Sequence, residues 1–172
     1  MLVFACRCRG TGVEPSAPPG VAMESITVTS GQFSENAAIA VDYSCDGKDM
    51  MPSIAWSSPP PATKSIAVII DDPDAPGGTF THFIAYGIAP DTHELKAGAE
   101  PGPPVRIGKN DFGSVRYNGP CPPQGEEHRY RFQVYALDVA LTNPEGLGRS
   151  DVDSAMSGHV LAEGTLTGLF GH

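Results

Sequence analysis

The sequence predicts an all-β fold: a Greek-key antiparallel β-sandwich carrying one peripheral helix near the C-terminus. Three observations lead there. The 172 residues include 20 Gly and 17 Pro with only 18% charged residues, a balance that interrupts long helices and favours turns. Short apolar or alternating runs recur between turn signals along most of the chain. A single segment with helical spacing follows late. The length suits one domain with a core large enough to hold without disulfide or metal staples.

The elements follow in order. Glu14 to Gly20 reads EPSAPPG, too poor in apolar surface to order itself, so residues 1–22 are expected to be a disordered extension ahead of a domain spanning 23–172. Ser25 to Val28 alternates and predicts a strand, closed by a turn at Ser30-Gly31. Ile39 to Tyr43 predicts a second strand, and Ser53 to Trp56 a third, bounded by Pro52 and by Pro59 to Pro61. Ser65 to Asp71 (SIAVIID) is continuous, apolar and β-branched, which fits a buried central strand. Thr79 to Ile88 and Tyr130 to Leu137 predict two further long strands. Between them lie irregular connections at Pro101 to Pro104 and Gly119 to Gly125, the kind of loop where binding residues gather on a β scaffold. Ser150 is the expected N-cap of the helix, with Val152, Met156, His159 and Val160 on one face. That helix is expected to stop near Glu163-Gly164, before a short final strand from Thr165 to Phe170.

Charge narrows the function. A formal net charge of −9 opposes nucleic acid, whose binding is driven by Lys and Arg displacing counterions. No polybasic cluster favours an anionic membrane, and no apolar run approaches the ~20 residues of a membrane span, so no stable membrane insertion is expected. The apolar stretch near Met1 is short and followed by arginines, unlike a signal peptide. A cytoplasmic location is therefore expected, with Cys6, Cys8, Cys45 and Cys121 mostly reduced. Cys6 and Cys8 form half of a metal site with no second pair at usable spacing, so no zinc role is expected. A protein of this charge that binds an anion must do so locally, through inward-pointing donors.

The densest constellation is Asp71-Asp72-Pro73-Asp74-Ala75-Pro76-Gly77-Gly78, directly after the buried strand. Asp72 and Asp74 are two apart and would share one side of an extended chain. Read alone, the segment is an ordinary turn. It is no calcium loop: counted from Asp72, the third ligand position is Pro76 and the twelfth position is Phe83. His82 lies in an otherwise apolar and aromatic strand, where a lone His is normally a satisfied core residue. A carboxylate neighbour would favour its protonated form and make it a positive donor inside an apolar wall. The loop Gly119-Pro120-Cys121-Pro122-Pro123-Gln124-Gly125 delivers His128 to the start of a strand, with Arg129 free to tie to a carboxylate and Tyr130 to pack. Alone, His128 is a solvated loop residue.

Taken together, DDPDAP after an apolar strand, THF shortly beyond it, and GPCPPQGEEHRYRFQVYALD resemble the phosphatidylethanolamine-binding protein family, and most closely its bacterial and archaeal Raf-kinase-inhibitor-like branch. Ser53 to Trp56, Thr63 to Ser65 and Asn110-Asp111-Phe112-Gly113 add to the match, which spans about residues 24–171. The resemblance implies a β-sandwich with a shallow anion pocket for phosphate-bearing groups such as phospholipid headgroups. It places Asp72, Asp74, His82 and His128 in that pocket, Tyr130 beside them, and Pro122 and Pro123 on the rim. Phe80-Thr81 precedes His82 where relatives often carry Trp and a second His, so a more open or more polar wall is expected.

The leading reading is an anion-binding or phosphoryl-headgroup-binding module with a regulatory or inhibitor role, without catalytic residue, cofactor or metal. In it His82 and His128 donate to the anion, while Asp72 and Asp74 orient them or accept from an ammonium. A small hydrolase using the Asp/His set as acid and base is the enzyme alternative, although neither a Gly-x-Ser-x-Gly elbow nor an HExxH motif occurs. A protein-interaction module with a ligand-gated surface is the third. No residue identifies a protein partner, and a homodimer through one sheet face fits the branch.

Overall fold

The computed structural model describes residues 23–172. The expected extension at 1–22, and with it Cys6 and Cys8, lies outside the described residues. Ten strands and one short helix follow in the chain: β1 (Glu24–Ser25), β2 (Val28–Thr29), β3 (Ala37–Ala38), β4 (Ile54–Trp56), β5 (Ser65–Asp72), β6 (Phe80–Ile88), β7 (Glu94–Leu95), β8 (Arg106–Ile107), β9 (Glu127–Leu137), α1 (Arg149–Met156) and β10 (Val160–Gly171). The larger sheet runs β1-β10-β9-β5-β6-β8, with β3 also on β10, and a smaller sheet runs β2-β4-β7. The five central strands and the small sheet are antiparallel, whereas the two-residue strands β1 and β3 run parallel to β10. Among the described residues no helix is long and apolar enough to cross a membrane.

Alternation along the long strands builds two cores. Ile66, Val68 and Ile70 of β5, with Tyr130, Phe132 and Val134 of β9, face the small sheet and meet Val28, Ile54 and Trp56. Ala67 and Ile69, with Tyr135 and Leu137, face the other way and are covered by Val152 and Met156 of α1. The molecule is thus a two-sheet sandwich with the helix laid on the outer face of the larger sheet.

Three expected elements differ from the structure. The strand at Ser25 to Val28 is split. Glu24–Ser25 pairs with β10, and Val28–Thr29 pairs with β4, so the chain changes sheet at Ile26-Thr27. Gly164 permits that crossing: a Cβ there would lie 1.9 Å from the Ile26 carbonyl oxygen. Ile39 to Tyr43 holds no strand. Val41–Tyr43 is a 3-10 turn, because the backbone N–H and Oγ of Ser44 both close onto the Val41 carbonyl. The helix is shorter than its apolar spacing suggested, starting after Gly148 and ending at Met156. Gly158 at φ +78° reverses the chain, and Val160 already pairs with Leu137 of β9, so strand pairing takes over the residues assigned to the last helical turns.

Candidate functional site

β5 ends in two adjacent carboxylates that alternation sends to opposite faces. Asp71 points to the helix side and is fully buried. Arg131 donates to it through Nε (2.7 Å) and Nη2 (3.1 Å), Arg149 through Nη1 (2.9 Å) and Gln133 through Nε2 (2.8 Å). Asp72 points to the other face. Its Oδ2 accepts from His128 Nδ1 at 2.7 Å and its Oδ1 from the Asp74 backbone N–H at 2.8 Å.

His128 is the second residue of β9, on the same strand face as Tyr130 and Phe132, and it is 4% exposed. Both ring nitrogens are engaged, since Nε2 donates to Glu126 Oε2 at 3.0 Å. Burial opposes a charge on this ring, but the hydrogen bonds to Asp72 and Glu126 outweigh it and hold the pKa above the ordinary histidine value. With a carboxylate oxygen against each ring nitrogen, His128 is the group of the site placed to carry a proton on both.

His82 reaches the site through a β-bulge. Ile70 faces Phe83 and Asp71 faces Thr81, which leaves His82 as the extra, unpaired residue on β6. Its Nδ1–H donates to the carbonyls of Asn118 (2.8 Å) and Gly119 (3.1 Å). The ring lies edge-on against Phe112 and Tyr130, each with centroids 5.3 Å away. Here the sequence expectation is corrected. Burial lowers the His82 pKa more than its backbone acceptors and Asp72 raise it, which favours the neutral ring, with Nδ1–H donating and Nε2 left as the acceptor.

A cavity of about 330 Å³ opens between these groups, with Asp72, His82 and His128 as its polar side chains. Ala75 and Pro76 from the DPDAP turn, Phe80, Phe112, and Cys121 with Pro122 and Pro123 complete the wall. At the two positions behind the expectation of a more open or more polar wall, Phe80 lines the cavity and Thr81 does not. Phe80 packs edge-on against Phe112 at 4.8 Å, and Thr81 is buried on the other strand face, opposite Asp71.

Two of the seven expected residues stand apart from the cavity. Asp74 is gripped by Arg129, whose Nη2 donates to Oδ1 at 2.6 Å while its Nε and backbone N–H each reach Oδ2 at 2.9 Å. The hydrogen bond from Arg129 pulls the Asp74 carboxyl down to about 2, and Asp74 orients neither histidine. Tyr130 lies behind His82, buried, with a hydroxyl that no described residue pairs. Burial raises its pKa, and it stays protonated.

Cys121 corrects a further expectation. It is not a free thiol but is joined to Cys45, with Cα atoms 5.5 Å apart. The Cys45 backbone N–H also donates to the Pro120 carbonyl at 3.0 Å, so the two loops are already side by side where the bond forms. Sequence reasoning did not single out Asn118, Cys121 or Glu126 as site residues. Phe112 had only its place in the Asn110-Asp111-Phe112-Gly113 match as a signal. Among the described residues, no cluster of three or more His, Cys, Asp or Glu side chains is arranged to hold a metal ion.

Comparison with known proteins places this geometry. Residues 29–171 match the family model described as phosphatidylethanolamine-binding protein. A UPF0098 protein of Aquifex aeolicus is 47% identical over 148 residues, covering 83% of this chain and 86% of its own length. A Mycobacterium tuberculosis protein named as a lipoprotein, LppC, is 38% identical over 153 residues, covering 88% of this chain and 75% of its own. The crystal structure of a phosphatidylethanolamine-binding protein homologue from Chlamydia trachomatis superimposes with a TM-score of 0.81 at 35% identity, covering 87% of this chain and 99% of that one. The chain belongs to the phosphatidylethanolamine-binding protein family, among its bacterial and archaeal homologues.

Proposed function

We propose that the Asp72–His82–His128 cavity binds the phosphate-bearing group of a small ligand, such as a phospholipid headgroup or a related metabolite. One observation carries the reading: His128, with a carboxylate oxygen against each ring nitrogen, is held against the buried Asp72 at the wall of an otherwise apolar cavity. In a protein of net charge −9 its ring N–H groups are the local donors an anion can take, once the exposed carboxylate now on Nε2 gives way. Neutral His82 complements it. Its Nε2 accepts from a donor, which suits the hydroxyl of hydrogen phosphate or the ammonium of a phosphoethanolamine. The cavity volume lies at the small end of the ~300–1,000 Å³ common for ligand sites.

Calorimetric titration with inorganic phosphate and O-phosphorylethanolamine tests this. Wild type binds, and His128→Ala loses at least about tenfold in affinity, the scale of one charge-assisted hydrogen bond. His128→Gln keeps a donor toward Asp72 without the charge, and guards against misreading a folding defect as lost binding. Equal affinity in wild type and both variants would refute the assignment.

The Cys45–Cys121 bond and the relative named as a lipoprotein support an oxidising compartment over a cytoplasmic one. Thiol trapping in fractionated host cells tests this. Both cysteines recovered reduced in the cytoplasmic fraction would reverse it.

A further inference from the structure

We infer that Glu126 is a built-in competitor of the ligand: its carboxylate occupies the position on His128 Nε2 that an incoming anion must take, and it sets how tightly the cavity holds anions. This rests on the anion-binding reading above. His128 spends Nδ1–H on Asp72 and Nε2–H on Glu126. His82 spends Nδ1–H on the carbonyls of Asn118 and Gly119. The rim residues Pro122 and Pro123 have no N–H to offer. The one charged donor is thus fully subscribed, and the two carboxylates that hold it are unlike each other. Asp72 is buried with 5% of its side chain exposed and has a second bond, from the Asp74 N–H. The Glu126 side chain is 53% exposed and makes no other bond to a described residue.

The backbone lets Glu126 leave without disturbing the fold. The turn from Pro123 to Glu126 closes through the Glu126 N–H on the Pro123 carbonyl at 3.1 Å, and Gly125 takes φ +82°. Glu127 pairs with Gly171 of β10, where a Cβ on Gly171 would lie 2.8 Å from the Glu126 carbonyl oxygen. The main chain at 126–127 is therefore pinned and the side chain alone is free to rotate away. A bare phosphate must displace this carboxylate and then sit near it, with like charges opposed. A ligand that also carries an ammonium group offers the displaced carboxylate a partner. Glu126 thereby disfavours simple phosphate more than a zwitterion.

The test measures the affinity of inorganic phosphate and of O-phosphorylethanolamine by calorimetry for wild type, Glu126→Ala, Glu126→Gln and Glu127→Ala, with melting curves alongside. Glu127 is a neighbouring exposed carboxylate without a side-chain bond to a described residue, so it reports the general effect of removing one negative charge. Glu126→Ala is expected to tighten phosphate about three- to fivefold, the scale of an exposed charge-assisted bond. Glu126→Gln falls between it and wild type, and Glu127→Ala changes less than about twofold. The gain for O-phosphorylethanolamine is smaller than for phosphate. If wild type binds and Glu126→Ala binds no tighter, Glu126 is not a competitor and the inference is overturned while the anion site stands. If no variant binds either probe, the anion reading itself fails and the inference falls with it.

Discussion

Replacing Cys121 with serine removes a cross-link between residues 76 apart in sequence. In the loop-closure account, a bond closing a loop of that length restricts the unfolded chain by about 4.5 kcal/mol. For a domain of this size, about 1 kcal/mol moves the melting temperature by roughly 2–4 °C, so a fall of about 9–18 °C is expected. The folded site is expected to change little. The Gly119 N–H still donates to Asp49 Oδ1 at 2.6 Å, Tyr117 Oη to the Tyr43 carbonyl at 2.9 Å and the Cys45 N–H to the Pro120 carbonyl at 3.0 Å. These bonds hold the loop carrying Asn118 and Gly119, and with it the carbonyls that fix His82. Differential scanning calorimetry of wild type and Cys121→Ser, with phosphate titration of both, separates the two effects. A large melting shift with an affinity change under about threefold is the expected pair. A shift below about 4 °C, or a non-reducing peptide map without the Cys45–Cys121 link, would refute the reasoning.

Further perturbations test other parts. Asp71→Asn leaves Arg131 and Arg149 around a neutral, buried group, and denaturant unfolding should show a loss of about 3–5 kcal/mol. Phosphate affinity should be retained at pH below the raised His128 pKa and fall as pH rises through it, because His128 is then deprotonated. Asp72→Asn should move that fall to lower pH, as read by calorimetry and by imidazole NMR titration. His128 contributes to stability with the same sign, fully below the ordinary histidine value and lost above its raised folded value. Asp74 has the opposite sense: its folded pKa of about 2 lies below the ordinary carboxylate value of 3.8, so its contribution is present above that higher value and lost as pH falls through the lower one. Because Arg129 is 59% exposed, denaturant unfolding of Asp74→Ala and wild type should differ by no more than about 1 kcal/mol at neutral pH, and the difference should vanish in acid.

What the sequence makes legible is what depends on near neighbours. Ile66 to Ile70 is an unbroken apolar run and forms the middle of a strand buried along its whole length. Tyr130 to Leu137 alternates in sequence, and the structure extends that strand back to Glu127, which puts His128 on the face of Tyr130 and Phe132. Asp72, His82 and His128, singled out only by the joint order of their segments, line one cavity. Features that depend on distant residues were not legible. The charge of His82 is decided by burial and by carbonyls 36 and 37 residues away, which no local motif reports. Asp71 looks like a fellow of Asp72 in sequence, yet its partners Arg131 and Arg149 lie 60 and 78 residues off. The end of α1 was misjudged because Val160 fits both an apolar helical stripe and a strand, and pairing with Leu137 decides between them.

The adjacency of Asp71 and Asp72 also makes β5 intolerant of length changes. A single residue inserted or deleted upstream in this strand, with its C-terminal half shifting to compensate, would reverse the phase of every later side chain. Asp71 would then turn toward His128 and Asp72 toward Arg131 and Arg149. Both carboxylates would again meet cations, so the swap would be electrostatically mild, and the penalty would fall on Ile66 to Ile70, whose two faces fill different cores. A one-residue indel scan across β5 should therefore abolish folding, whereas the loop at Gly77-Gly78, where an added Cβ meets nothing within 4 Å, should accept insertions.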